Sequence, residues 1–143
     1  MVKLQSMNEI AEELPEIMPV IARKVLLDFF QAAEISQSQL LMLMAVKAKQ
    51  PCRLSELSRE MDVSTPTASG LVDRLVQHGL VERSANPNDR RAVSISLSER
   101  GEKLVAKFRH HSKERWQGIL TNMTSKDQND FIRILRDIRK QVA

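Results

Sequence analysis

Residues 64–98, STPTASGLVDRLVQHGLVERSANPNDRRAVSISLS, leave little freedom in how they fold. Ser64 is a good helix N-cap, and Pro66 falls in the first turn, where a missing N–H costs little. Ala68, Leu71, Val72 and Leu75 recur at helical spacing and make one apolar face. His78-Gly79 ends that helix, with Gly79 suited to the left-handed position after its C-terminus. Leu80 to Ser84 reads as a short strand, and Asn86-Pro87-Asn88-Asp89 is strong turn chemistry. Val93, Ile95 and Leu97 then alternate with Ser94 and Ser96, the period of a half-buried strand.

Helix, tight stop, strand, basic turn and strand, in that order, form the second half of a winged helix-turn-helix. One element fits a DNA major groove, and the other presents arginines to the backbone or minor groove. The helix carries Thr65, Pro66, Thr67, Ser69, Gly70 and Arg74 away from its apolar face. Small residues let a helix backbone approach base edges, and Thr, Ser and Arg then contact bases and phosphates. Arg90 and Arg91 follow the turn, and strand alternation sends them to opposite sides. Asp73 on the helix is a candidate to orient Arg91, and Asp89 a candidate to brace the turn. A solvated helix face and a hairpin tip charged for solubility are the plainer readings. An adjacent arginine pair beside a helix with a small-residue face favours nucleic acid over both.

These residues resemble the DNA-binding lobe of the MarR family of bacterial transcriptional regulators. The likeness is carried by Leu71-Val72-Asp73-Arg74-Leu75, by Gly79-Leu80-Val81-Glu82-Arg83, and by the run from Asp89-Arg90-Arg91 to Leu97-Ser98. The family's Asp-x-Arg wing pattern falls on Asp89 and Arg91, and its leucine-threonine end becomes Leu97-Ser98, which keeps a hydroxyl. Length and element order agree over nearly the whole chain. The resemblance implies a two-fold dimer on double-stranded DNA, recognising an inverted repeat with helices about 10 base pairs apart. It also implies repression and a small-molecule effector lodged between the helical dimer region and the DNA lobes.

The rest of the chain reads as helix. Ile10, Leu14, Ile17, Ile21, Val25 and Phe29 recur along residues 8–33, and Pro15 and Pro19 predict that this helix starts near Pro15 or is kinked. Ser36 and Gln39 make a capping box before Leu40, Leu43 and Met44. Leu54, Leu57 and Met61 mark a short helix after the break at Pro51-Cys52-Arg53. Ser98 opens a long helix bearing Leu104, Phe108, Trp116, Ile119 and Met123. Ser125 and Gln128 read as another capping pair, before Phe131, Leu135, Ile138 and Val142. The fold class is therefore mainly α with a small β wing. At 143 residues it is a single domain, 1–143, with the winged lobe at 36–98 and a helical dimerisation region at 1–35 and 99–143. The long apolar stripes of the terminal helices exceed what the small lobe can cover, which predicts a homodimer.

Charge does not locate the site. The chain carries a formal +4. Yet residues 53–100 hold equal numbers of basic and acidic side chains, and the excess lies mainly in 101–143. Binding then depends on where Arg74, Arg90 and Arg91 point. No secretory signal or apolar membrane span is recognisable, which predicts a cytoplasmic protein with no membrane partner. One cysteine, Cys52, excludes an internal disulfide and reads as a small buried residue rather than a redox sensor. His110 and His111 project about 100° apart on a helix and lack clustered Cys or acidic companions, so no metal is expected. With no glycine-rich phosphate loop and no nucleophile–base pair, neither a cofactor nor a catalytic residue is expected. The competing reading is a winged-helix protein-interaction module, which would carry large apolar residues where this helix has Thr, Ser, Gly and Arg.

Overall fold

A computed structural model describes residues 4–86 and 88–143, apart from the side chains of residues 86, 90 and 91. Among the described residues the order is α1 (Met7–Ala33), α2 (Gln37–Lys49), α3 (Leu54–Glu60), α4 (Thr65–Gln77), β1 (Val81–Asn86), β2 (Asp89–Leu97), α5 (Glu99–Leu120) and α6 (Ser125–Val142). This is the expected mainly helical fold with a two-stranded wing. The chain divides into two compact units, residues 26–109 and residues 1–25 with 110–143. None of its described helices is long and apolar enough to cross a membrane.

The unit 26–109 is built around apolar faces that the sequence pattern marks. Ala68, Leu71, Val72 and Leu75 of α4 are all buried. They join Leu40, Leu43 and Val46 of α2, Leu57 of α3, and Val81 and Ile95 at the root of the wing. Full burial of such a side chain is worth about 1.5–3 kcal/mol, so these faces fix how α4 is carried. Phe29 and Phe108 close one end of this core, edge to face at 5.3 Å. The Ser36 and Gln39 capping box forms as expected and starts α2.

The wing pairs Val81 with Leu97, Arg83 with Ile95 and Ala85 with Val93, and its register shifts between Ala85 and Asn86. Both strands are longer at the turn end than the sequence pattern suggests. The β2 backbone already begins at Asp89, and Pro87 of the expected turn lies outside the described residues. Ile95 and Leu97 are buried, whereas Val93 stands 43% exposed because it lies beyond the core on the projecting half of the strand. Cys52 grips the wing at its root. Its N–H donates to the Ile95 carbonyl at 3.0 Å, and the Ile95 N–H donates back at 2.7 Å.

The helix-to-wing and wing-to-helix junctions meet at one place. Gly79 takes φ +71°, the left-handed conformation expected of it. The Ser98 N–H donates to the Leu80 carbonyl at 3.0 Å, and its hydroxyl donates to the Gly79 carbonyl at 2.5 Å. That same hydroxyl oxygen accepts from the Gly101 N–H at 3.0 Å and so starts α5. A Cβ on Gly101 would lie 2.0 Å from the Leu80 carbonyl oxygen, so only glycine lets the backbones approach this closely.

A polar network braces α2 against α5 and the end of β2. Lys47 Nζ lies 2.6 Å from Glu102, and the Gln50 amide donates to the other Glu102 oxygen at 2.9 Å. The Gln50 side-chain Oε1 accepts from the Leu97 N–H at 2.9 Å. The hydrogen bonds from Lys47 and Gln50 hold the Glu102 carboxyl below its ordinary pKa.

In the second unit, Trp116 packs on Phe131 with ring centroids 5.7 Å apart. Thr124, not Ser125, is the N-cap of α6: its side chain accepts from the Asp127 N–H. Gln128 is thereby freed from a capping role, and its amide donates to the carbonyls of Leu120, the last residue of α5, and Met123, in the turn that follows. The first helix neither starts at Pro15 nor breaks there; α1 runs through both prolines. Each proline removes one N–H, and the carbonyls left without partners belong to exposed Ala11 and Pro15, where water can serve them. Ile10, Leu14 and Ile17 on α1, and Ile132, Leu135 and Ile138 on α6, remain substantially exposed within the single chain.

Gly101→Ala forces the Leu80 carbonyl to move. It is expected to cost about 2 kcal/mol or more, read as a lower denaturation midpoint at unchanged slope. Glu102 supplies a pH test. Its folded pKa lies below its unfolded value, so the unfolded state takes up the proton first on acidification. The stabilisation is complete at neutral pH and disappears as pH falls through the lowered value. In Glu102→Gln the acid limb of a stability–pH curve is expected to be shallower than in the parent.

Candidate nucleic-acid interface

The recognition-type helix is α4, and its exposed side is set by its start. The Ser64 side-chain oxygen accepts from the Thr67 N–H at 3.2 Å, while its O–H donates to the Thr67 hydroxyl oxygen at 2.8 Å. Thr65, Pro66 and Thr67 are exposed, and Ser69 and Gly70 are half-buried. A Cβ added to Gly70 would meet nothing within 4 Å, so its smallness is not required by packing inside this chain. Arg74 is exposed one turn further along. The six helix residues singled out by sequence thus fall on α4 as one outward strip.

Asp73 has a different neighbour from the one anticipated. Its carboxylate lies 2.5 Å from the Arg83 guanidinium on β1. Arg83 faces the same side of the wing as Ile95, its register partner, and as Val81, and this side covers the core. The pair therefore ties the outward strip of α4 to the first strand of the wing. The Arg90 and Arg91 side chains, and with them the expected Asp73–Arg91 contact, lie outside the described residues. Asp89 is exposed at the first position of β2. Arg83 is the site residue that sequence reasoning passed over. Val81 points inward, and alternation by two sends Arg83 the same way, toward α4; that was the available signal.

Cys52 is buried at the wing root, 3.5 Å from the Ile95 carbonyl oxygen through its sulfur. Burial, and then the nearby Glu56 carboxylate, push its thiol pKa up. A raised pKa keeps the thiol protonated and unreactive, in keeping with a packing role. His110 is engaged with Glu114 at 3.2 Å. Among the described residues no three His, Cys, Asp or Glu side chains gather as metal ligands.

The model of the family described as the MarR family matches residues 35–93, which contain α2, α3, α4 and most of the wing. Over these residues the chain is similar to the MarR family. The uncharacterized HTH-type transcriptional regulator YwhA of Bacillus subtilis is 29% identical over 84 residues, 59% of this chain and 60% of YwhA. The HTH-type transcriptional repressor YetL of the same organism is 25% identical over 117 residues, 80% of this chain and 70% of YetL. The chain therefore spans less than two thirds of YwhA. The solved structure of Rv1404 from Mycobacterium tuberculosis superposes with a TM-score of 0.83 at 22% identity, covering 97% of this chain and 95% of that one. That likeness fixes the fold. The MarR family consists of transcriptional regulators rather than enzymes.

The Asp73–Arg83 pair, half-exposed on both sides, is worth up to about 1 kcal/mol in coupling. A double-mutant cycle of Asp73→Ala and Arg83→Ala, read by urea unfolding, is expected to show coupling of that size. It should shrink at high salt. Fully additive single effects would break the link between α4 and the wing.

Proposed function

We propose that the chain is a dimeric, sequence-specific DNA-binding transcriptional repressor that recognises an inverted-repeat operator. One observation carries this reading: α4 presents Thr65, Pro66, Thr67, Ser69, Gly70 and Arg74 outward while Asp73 and Arg83 lock it to an adjacent wing. A helix with small and hydroxyl residues at its leading end fits a major groove, and the wing falls beside the flanking backbone. Arg90 and Arg91 are assigned to the wing's DNA contacts, with Arg91 in the minor groove and Arg90 on a phosphate. Asp89 braces the turn from which they project. Repression follows the function named for YetL.

The dimer accounts for the apolar residues exposed on α1 and α6. Two copies related by a two-fold axis bury the same stripe on each partner and set the spacing of the two recognition helices. Reading chromosomal DNA places the protein in the cytoplasm, and the reading requires no catalytic group, metal or cofactor. A small-molecule effector acts by changing the spacing of the two helices, which alters how both fit successive grooves.

The test is titration of an operator duplex, found by footprinting, at several salt concentrations. The parent should sediment as a dimer and bind at dimer stoichiometry. Arg74→Ala is expected to cost about 1–3 kcal/mol, with relaxed preference at one position per half-site. Arg91→Ala should weaken binding strongly. Arg90→Ala should act mildly and lower the salt slope by about 1, as for one lost phosphate contact. Unchanged binding by both Arg74→Ala and Arg91→Ala would remove this face from the DNA.

A further inference from the structure

The outer edge of β2 lacks a neighbouring strand, and a side chain takes the place of one. Cys52 engages both the N–H and the C=O of Ile95, so these groups point away from β1. Alternation along the strand turns the Leu97 N–H to the same edge. An antiparallel register that sets Cys52 opposite Ile95 sets residue 50 opposite Leu97. Gln50 is not a strand residue, however. It is the C-cap of α2, and its N–H donates to the Val46 carbonyl at 2.8 Å. Its side-chain Oε1 supplies the missing rung, accepting from the Leu97 N–H at 2.9 Å. Leu97 is buried, so water has poor access to that N–H. The orientation of the amide is fixed from behind. Gln50 Nε2 donates to Glu102 Oε1 at 2.9 Å, and Lys47 Nζ lies 2.6 Å from Glu102 Oε2. A carboxylate only accepts, so it holds the donor end of the amide toward α5 and the acceptor end toward β2.

We propose that Gln50 is a positioning residue for DNA binding: its amide, set by Glu102 and Lys47, aims the wing at the duplex without touching it. The Cys52 pair alone is one attachment on this edge, about which the hairpin can swing. A second attachment two residues on, about 7 Å away, fixes the direction of the strand. Eight residue steps separate Leu97 from Asp89 at the start of β2, roughly 27 Å along the strand. A swing of about 10° at the root then displaces the far end by roughly 5 Å, enough to take a wing side chain out of hydrogen-bond reach. The effect on DNA rests on the wing lying against the duplex, as proposed above; the rung itself does not.

Exchanging the two groups tests the network. With a carboxylate at position 50 and an amide at position 102, every donor again meets an acceptor. The Leu97 N–H and the transplanted amide both donate to the carboxylate, and Lys47 donates to the amide oxygen. Either change alone breaks the pattern. Gln50→Glu sets two carboxylates face to face, and Glu102→Gln turns an NH2 toward either Lys47 or the Gln50 amide. The parent, both single variants and the double variant are compared as full chains, at a temperature where circular dichroism shows each folded. Without DNA, exchange of the Leu97 amide hydrogen is expected to run about ten-fold faster in Gln50→Glu and to return to within about two-fold of the parent in the double variant. On the footprinted operator, Gln50→Glu is expected to bind about five-fold more weakly, and the double variant to recover. The lost preference should be confined to the outer positions of each half-site, where the wing lies. A merely structural role lowers the thermal midpoint without moving that preference. If Gln50→Glu does not fold, Glu102→Gln carries the same expectations. Unchanged Leu97 exchange in the folded single variants, or a double variant no better than they are, removes the rung. Faster exchange with unchanged operator binding removes the positioning role and leaves the DNA reading intact. A parent that binds no footprinted duplex ends the DNA reading and the positioning role with it, whatever the exchange rates show.

Discussion

The close approach of Gly101 to the Leu80 carbonyl is the constraint on which the mutual placement of α4, the wing and α5 hangs. Leu80 follows the end of α4 and leads into the wing; Gly101 lies in the first turn of α5. Ser98 knots the two together, donating to both the Gly79 and Leu80 carbonyls while capping α5. Recognition helix, wing and α5 are thus referred to one backbone junction. A side chain at position 101 would pry all three apart at their common point. The apolar core then holds the remaining faces of α4, so the helix is fixed at its end by hydrogen bonds and along its length by packing.

Much of this was readable in residue order because it is local. The Ser64 cap, the apolar stripe of α4 and the positive φ at Gly79 each depend on residues within one or two turns. The features that escaped depend on two distant segments meeting. Nothing in the sequence near Gly101 announces that a carbonyl from Leu80 will occupy the space of its missing side chain. Arg83 sits in a stretch that already resembled the family, yet its partner was legible only once α4 and β1 were packed together. Asp73 drew attention through the wing arginines, while its described contact is with the nearer strand.

Local ambiguity accounts for the other differences. Thr124 and Ser125 are adjacent hydroxyls, and both are followed three residues later by an acceptor-bearing side chain. Choosing between them requires knowing which backbone turns first, and Gln128 is recruited to the end of α5 instead. Pro15 and Pro19 are strong breakers in isolation. They lie four residues apart, so their missing bonds fall along one exposed side of α1 and the helix continues. Val93 obeys the alternation of β2 but outruns the core that gives alternation its meaning.

The grip of Cys52 on Ile95 makes the wing a cantilever. Its root is clamped on one side by β1 and on the other by the Cys52 backbone, and Ile95 is only 2% exposed there. Two residues outward the bridge to Cys52 has ended, and Val93 is paired with Ala85 of β1. Bending compliance in such a beam is concentrated beyond the clamp. The root, by contrast, is held to the same apolar core as α4, so wing root and helix keep one fixed relation. On the proposed DNA-binding reading, such a root keeps the central helix in register whatever duplex shape lies at its flanks.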